Sequence, residues 1–395
     1  MNLLTIDNPP IFARLGPSVL SAACRGSAVI KKLPADRLMA REMLHDACPL
    51  TPGVYAWLDE HQQICYVGKS KSLRKRLLSY FAKHPSDDKA DQIRRHSRHL
   101  VWEPVSHELL ALIREQELIY RWRPDFNTQG QPTRRQPAFL GISGGVAPKV
   151  FMTQQLSKRA QRLFGPVAGT GWMRNAVNSI SQVFGLRDCP DQTGFEFADQ
   201  LRLFADPSSA KCIRYELETC SGPCAGFCGS SEYQSQVAQL INFLEGRDLT
   251  VLARIEQQMV DAADQQRYER AAALRDHLKN LNWLQRKMTG IRSARIELHG
   301  VLALPGNQPR PIWILLNGGR LIGSLPSPQN HHESLKATEK LERVAAARVV
   351  LPQSLFETHV QLILSSWLRK NTDLRGSLIP FPTAIERCQK SLNTT

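Results

Sequence analysis

The sequence predicts an α+β protein of several domains, on three observations. Its 395 residues exceed what one hydrophobic core usually organises. Runs rich in β-formers alternate with runs of helical period along the chain, and a knot of cysteines (Cys212, Cys220, Cys224) interrupts that alternation near the middle. The boundaries this pattern suggests are an N-terminal extension over 1–46, a small α/β domain over 47–130, a connecting region with the cysteines over 131–231, a helical region over 232–290 and a C-terminal α/β segment over 291–395.

Within the extension, Pro9, Pro10, Pro17 and Pro34 break any sustained period, so it reads as loosely organised. Val54–Trp57 and Ile64–Val67 are β-rich runs separated by polar residues 59–63 and read as a hairpin. Ser72 can cap a helix whose Leu73, Leu77, Leu78 and Phe81 recur at helical spacing. Leu109–Tyr120 reads as a further helix, stopped at Arg123-Pro124 because proline cannot continue it. Beyond 131, a short strand at Val150–Met152 and a helix over Met173–Phe184 precede the cysteines. Three apolar-periodic stretches follow, at Tyr233–Leu244, Val251–Ala263 and Tyr268–Leu284, broken at Gly246 and near residues 264–266. Val251, Ile255, Met259 and Ala263 make one stripe and Ala271, Leu274, Leu278 and Leu281 another, which predicts an antiparallel helical hairpin. Residues 295–323 return to strand character, 332–370 read as helical with a short strand near Val349, and the last two dozen residues read as loose.

Composition narrows the function. The densest apolar run, Ile312–Leu316, is far shorter than the roughly 18 residues of a membrane helix, so no membrane role is expected. Leu20–Cys24 superficially suggests a secretion cleavage site, but Asp7, Pro9, Pro10 and Arg14 lie where an apolar core should be. A cytoplasmic location follows, with the nine cysteines reduced or metal-bound rather than paired. The excess of 51 Lys and Arg over 36 Asp and Glu, a charge of +15, favours a polyanionic partner. Position sharpens that reading: Lys69, Lys71, Arg74, Lys75 and Arg76 form one basic cluster, and Arg94, Arg95 and Arg98 a second.

Hydrolysis of a phosphodiester needs a nucleophile relieved of its proton, a cation facing the charge that develops on phosphorus, and usually a divalent metal behind the leaving oxygen. Gly53-Val54-Tyr55, Tyr66-Val67-Gly68-Lys69, Arg76, Tyr80, Glu115 and Arg123–Asn127 supply those types in order. Taken together they resemble the core of the GIY-YIG nucleases, in particular the front half of the bacterial repair nuclease UvrC and its shorter relative Cho. The resemblance implies a tyrosine, Tyr55 or Tyr66, that helps deprotonate water. It further implies Arg76 at the phosphate, Glu115 on Mg²⁺ or Mn²⁺, Lys69 and Tyr80 lining the pocket, Gly53 and Gly68 as structural support, and Asn127 as a brace. The arginine role suits a planar group that is always charged, and a lone carboxylate with waters suits Mg²⁺ or Mn²⁺. Lys71, Arg74, Lys75, Arg94, Arg95 and Arg98 are then the candidate DNA contacts. Against each stands a plainer use: tyrosines pack in strands, and Glu108, Glu115 and Glu117 can be the wet face of a helix.

Cys212, Cys220 and Cys224 are separated by seven and three residues, and with Cys189 they resemble the cysteine segment of the same family. Four thiolates suit an iron–sulfur cluster or a structural zinc, and spacing does not separate them; the family resemblance points to [4Fe-4S]. Cys228 is a substitute ligand, and four plain buried thiols are the alternative. Residues 259–276 resemble the UVR motif, a hairpin that docks on a UvrB-like partner in a UvrA/UvrB system. Ala294–Ser327 resembles the entry to an RNase H-like second half, but residues 301–395 contain a single aspartate, Asp373, where a second nuclease site would need several acids. The expected function is therefore a metal-dependent incision of lesion-bearing double-stranded DNA, on the 3′ side, in nucleotide excision repair. The alternatives are a free-standing structure-specific GIY-YIG nuclease and a non-catalytic, redox-sensitive DNA-binding module.

Overall fold

The computed structural model describes residues 15–20, 28–82, 88–127, 137–155, 159–167, 169–199, 212–305, 310–349 and 354–392. Cys24 and most of the first 27 residues lie outside them. The chain divides into two units, one of Met1–Arg135 with Ala294–Thr395, the other of Gln136–Ser293.

The first unit begins with β1 (Val29–Lys32) and α1 (Arg37–Ala47), both inside the segment expected to be loose. A strand of four residues with two lysines carries no alternation to read, and it forms because β4 offers it an open edge. Then come β2 (Gly53–Leu58) and β3 (Ile64–Ser70), the expected hairpin, α2 (Leu73–Ser79), α3 (Asp88–His96), β4 (His99–Pro104) and α4 (Glu108–Trp122). The four strands form an antiparallel sheet in the order β1-β4-β2-β3. All six residues of β2 are buried, as a central strand covered on both faces requires. Ser72 stands at the N-cap of α2 but makes no side-chain cap bond; its hydroxyl is buried without a partner. α4 ends as expected before Pro124, with Arg123 in the left-handed conformation (φ 47°).

The second unit holds β5 (Ala138–Ser143), β6 (Val150–Thr153) and β7 (Ala160–Val167) in a sheet ordered β6-β5-β7. Five helices follow: α5 (Thr170–Val183), the short α6 (Ile213–Glu216), α7 (Ser230–Leu244), α8 (Thr250–Asp264) and α9 (Tyr268–Glu297). The stripes of α8 and α9 enter one core with α5 and α7, as a hairpin should. Two details differ from the sequence reading. Ala262 rather than Ala263 is the buried residue at the end of α8, and α9 runs thirteen residues past Leu284 because no proline or capping glycine stops it.

The chain returns to the first unit with β8 (Gly300–Leu304), β9 (Ile312–Asn317) and β10 (Arg320–Pro326), then α10 (His331–Ala346), α11 (Leu355–Lys370), α12 (Thr372–Arg375), β11 (Leu378–Ile379) and α13 (Phe381–Leu392). The sheet order is β10-β9-β8-β11. No strand forms at Arg348–Val349. Residues 372–392 are not loose: Phe381, Ala384 and Cys388 recur at helical spacing and are buried, packing α13 against α10. One core runs from Val54, Leu109 and Leu118 to Leu302, Ile314 and Leu364. Within it α11 packs on α4, with His107 against Trp367 and Tyr120 against Phe356. Among the described residues no helix is long and apolar enough to cross a membrane.

Candidate active site

The hairpin puts Tyr55 and Tyr66 near one another, ring centres 6.2 Å apart, because Tyr55 pairs with Gly68 and Trp57 with Tyr66 across the two strands. α2 leaves the end of β3 and lays Arg76 and Tyr80 over them. The Tyr55 and Tyr80 hydroxyls are 3.0 Å apart, and Arg76 Nε donates to the Tyr55 hydroxyl at 3.2 Å. The Arg76 guanidinium also sits 5.0 Å from the centre of the Tyr80 ring. Tyr55 and Tyr80 are 1% and 2% exposed, whereas Tyr66 is only half-buried and Arg76 is exposed. Tyr66 is therefore the phenol open to a ligand, and Tyr55 is interior.

Glu115 comes from the middle of α4. Its Oε1 accepts the backbone N–H of Lys69 at 3.0 Å, which fixes the carboxylate to the end of β3. Burial lifts its pKa to about 7, against the pull of Lys69. Tyr66 ties the parts together: burial pushes its pKa up, Tyr80 and Glu115 push it further, and Arg76 acts the other way. One phenol thus feels both the guanidinium and the carboxylate. The plainer use, in which Glu108, Glu115 and Glu117 are a wet helix face, does not hold. Glu117 is buried and Glu115 is only partly exposed; Glu108 is engaged by Lys69 at 3.5 Å and Lys71 at 2.8 Å.

Asn127 brackets residue 67, accepting its N–H and donating to its carbonyl, both at 2.8 Å. Two glycines are sterically required. A Cβ on Gly68 would lie 2.5 Å from the Tyr55 hydroxyl, and one on Gly53 would lie 2.5 Å from both the Glu103 carbonyl and the Leu73 side chain. Of the candidate DNA contacts, Lys75 and Lys71 are exposed, Lys71 reaching Glu108. Arg94 and Arg95 share Asp91 at 2.8 and 2.6 Å. Arg98 donates to the carbonyls of Arg95 and Ser97, and Arg74 Nε donates to the Cys48 carbonyl at 2.6 Å, bracing the end of α1. Exposed pairs of this kind are weak and can exchange a carboxylate for a phosphate.

Two features escaped the sequence reading. Lys89, in α3, stands 5.6 Å over the Tyr66 ring. Behind Glu115, Arg114 is fully buried, bidentate to Glu103 (3.0 and 3.1 Å) and bonded to Glu117 (2.9 Å) and to the carbonyls of Gly16 and Pro17. Glu117 also accepts from Ser18 Oγ and the Val19 N–H. Only the spacing of Arg114 and Glu117 was visible in sequence, and it is that of an ordinary helix pair.

In the second unit the four cysteines come near one another. Burial pushes Cys220 up to about 11, and Cys212, Cys224 and Cys189 all add to that shift. Cys224 is raised by burial and then by Cys212 and Cys189. Cys228 stands apart: its thiol bonds Ser221 and faces Glu232 and Asp199. Among the described residues no three His, Cys, Asp or Glu side chains stand in ready metal-binding geometry, and none of the described cysteines forms a disulfide.

Three family models match in the order of these parts: the UvrC-like GIY-YIG domain over residues 51–128, the middle domain of the UvrC/Cho excinuclease over 139–243, and the UvrB/UvrC motif over 250–282. The chain carries the GIY-YIG domain, middle domain and UVR motif of UvrC. Relatives named UvrABC system protein C bear this out. That of Gemmatimonas aurantiaca is 33% identical over 238 residues, 60% of this chain and 37% of the relative. That of Pseudomonas paraeruginosa is 31% identical over 279 residues, 70% of this chain and 44% of the relative. The chain thus spans less than half the length of these two UvrC proteins. Among solved structures, the GIY-YIG N-terminal endonuclease domain of UvrC from Thermotoga maritima, bound to magnesium, is 33% identical. The match covers 22% of this chain and 94% of that one, with a TM-score of 0.21.

Proposed function

We propose that the chain is a metal-dependent endodeoxyribonuclease of nucleotide excision repair, acting in the cytoplasm. It would cut one phosphodiester bond near a lesion in double-stranded DNA, on the 3′ side. The observation that carries this reading is the meeting of β2, β3, α2 and α4 at one place: Arg76 bonds Tyr55 at 3.2 Å, the ring of Tyr55 lies 6.2 Å from that of the half-buried Tyr66, and Glu115 accepts the Lys69 N–H three residues further along the strand of Tyr66. Water attacks phosphorus and the bond from phosphorus to the leaving oxygen breaks; the proton lost by the water is relayed through the neutral Tyr66 hydroxyl to solvent, and the leaving oxygen takes a proton from solvent. Tyr66 is the phenol that meets that water. Tyr55 positions it indirectly, by holding Arg76 through the 3.2 Å bond. Arg76, exposed beyond that bond, presents its guanidinium to the non-bridging oxygens. Lys69 and Tyr80 line the pocket, and Asn127 holds the strand.

Glu115 fits a hard divalent cation: it is a lone carboxylate, partly buried, oriented by a backbone amide and costly to ionise without a counter-charge. When Mg²⁺ or Mn²⁺ is bound there, it supplies positive charge to the leaving oxygen and offsets the carboxylate. The donor set of Cys189, Cys212, Cys220 and Cys224 fits a [4Fe-4S] cluster, with zinc as the alternative, since four thiols that repel one another when charged gain most from a shared cation.

The α8–α9 hairpin leaves Val260 43% and Tyr268 69% exposed around its turn, which suits docking onto a UvrB-like partner. The C-terminal segment resembles the entry to an RNase H-like domain, and residues 301–395 hold a single aspartate, Asp373, where such a centre uses several acids. An incision assay on lesion-bearing duplex, with and without a UvrB-like protein, tests the whole reading. Partner-dependent nicking on one side supports it. Partner-independent cleavage of branched DNA favours a free-standing nuclease instead, and no cleavage at all favours a binding module.

A further inference from the structure

The second unit carries an aromatic surface that the nuclease reading does not use. Trp172, in the first turn of α5, is 41% exposed and stacks on Trp283 of α9, with ring centres 5.8 Å apart and planes inclined by 19°. Lys279 stands 5.5 Å from the centre of the Trp172 ring, and Lys287 stands 6.0 Å from that of Trp283. Lys279, Trp283 and Lys287 are spaced by four, so they line one face of α9.

The surface is built rather than incidental. His277 Nδ1 and Asn280 Nδ2 both meet the buried Ser179 hydroxyl, at 3.1 and 3.0 Å, and lock α9 to α5. Gly169 (φ 109°) starts α5, where a Cβ would lie 3.6 Å from the Trp283 ring. Charge is of one sign. Between Asp276 and Glu297 the sequence has Lys279, Arg286, Lys287, Arg292 and Arg295 and no acid, and α5 has Arg174 and no acid. Lys279, Arg286, Lys287 and Arg174 are exposed.

A large, half-exposed indole costs hydration unless something covers it, and a cationic rim selects what does. A protein partner of acidic surface would satisfy the lysines but has no need of a stacked pair of rings. An unpaired nucleobase has both a π-face for the indole and a flanking phosphate for the ammonium groups. We propose that Trp172 and Trp283, with Lys279 and Lys287, form a platform that stacks an unpaired base of single-stranded or locally opened DNA. This goes beyond the nuclease reading and does not rest on it, because the test reads binding and not cleavage.

The test measures, by anisotropy, binding of the full chain to a labelled oligothymidylate of about 20 nucleotides and to an abasic strand of the same length. Trp172→Ala should weaken oligothymidylate binding at least about five-fold and leave the abasic strand nearly unaffected. Trp172→Phe should recover most of the loss, which a folding defect would not allow. Lys279→Ala with Lys287→Ala should reduce the slope of log affinity against log salt by about 1.4, the value for two phosphate contacts on a single strand. Unchanged oligothymidylate binding in Trp172→Ala would overturn the proposal. So would an equal loss on both strands, which would make the surface a general polyanion patch.

Discussion

The Tyr55 hydroxyl fills the space that a side chain at residue 68 would need, so Gly68 and Tyr55 define each other across the β2–β3 pair. Gly68→Ala must therefore displace the Tyr55 ring, and with it the acceptor of Arg76. The expected result is a fall in nicking rate of about 100-fold with a small change in DNA affinity, since sub-ångström alignment is worth that much. A rate within threefold of the parent, about 0.7 kcal/mol, would show that the alignment of Tyr55 is immaterial.

The two tyrosines of the hairpin should separate in single-turnover kinetics. Tyr66→Phe removes the half-exposed phenol and should lower the rate by about 10² to 10⁴. Tyr55→Phe removes a buried hydroxyl whose bonds are to Tyr80 and Arg76, so its effect should be smaller and should appear together with that of Arg76→Ala, without adding to it. Equal and additive losses would contradict the assignment.

Glu115 gives the site a pH signature. Its folded pKa, about 7, lies above the ordinary 4.5 because burial penalises the charged form. With a raised folded value, its contribution to stability is complete below about pH 4.5 and is lost as pH rises through about 7. Without metal, Glu115→Gln should raise the melting temperature more at pH 8 than at pH 5. Apparent Mg²⁺ affinity of the parent should fall as pH drops below 7, because the ion must compete with a proton. A melting gain independent of pH would remove the burial argument.

The Arg114 network should be a stability element rather than a catalytic one. Arg114→Met leaves Glu103 and Glu117 buried without their counter-charge and should cost about 3–5 kcal/mol in urea unfolding. It would also release residues 15–20 from α4. A loss under about 1 kcal/mol would mean that water reaches the pair.

For the cysteines, anaerobic purification and a visible absorption spectrum decide. The cluster reading expects a coloured protein that bleaches in Cys220→Ser, while Cys228→Ser keeps its colour because Cys228 bonds Ser221 instead. Colourless protein holding one zinc per chain would replace the cluster with zinc, and folded, metal-free protein would contradict both.

Much of this was legible in the sequence where local pattern and tertiary role agree. The β2–β3 hairpin, α2, α4 and the α8–α9 hairpin each carry their own period, and Tyr66, Arg76 and Glu115 stand out as an ordered set. What was not legible depends on partners far away in the chain. β1 is an edge strand that needs β4, and α13 needs α10 to cover Phe381 and Cys388. Glu117 looked like a solvated residue until Arg114 and Ser18 closed over it. Whether Tyr55 or Tyr66 faces a ligand was likewise undecidable from β periodicity, since β2 is buried on both faces and β3 shows no strict alternation of burial.

In the proposed mechanism Tyr66, Arg76 and Glu115 serve one scissile phosphate. The most direct measurement is incision of lesion-bearing duplex in Mg²⁺ by Arg76→Ala and Glu115→Ala, beside DNA binding by the same preparations. Both variants should bind within a few-fold of the parent and cut nothing detectable. Retained cleavage in both would place the chemistry elsewhere in the molecule.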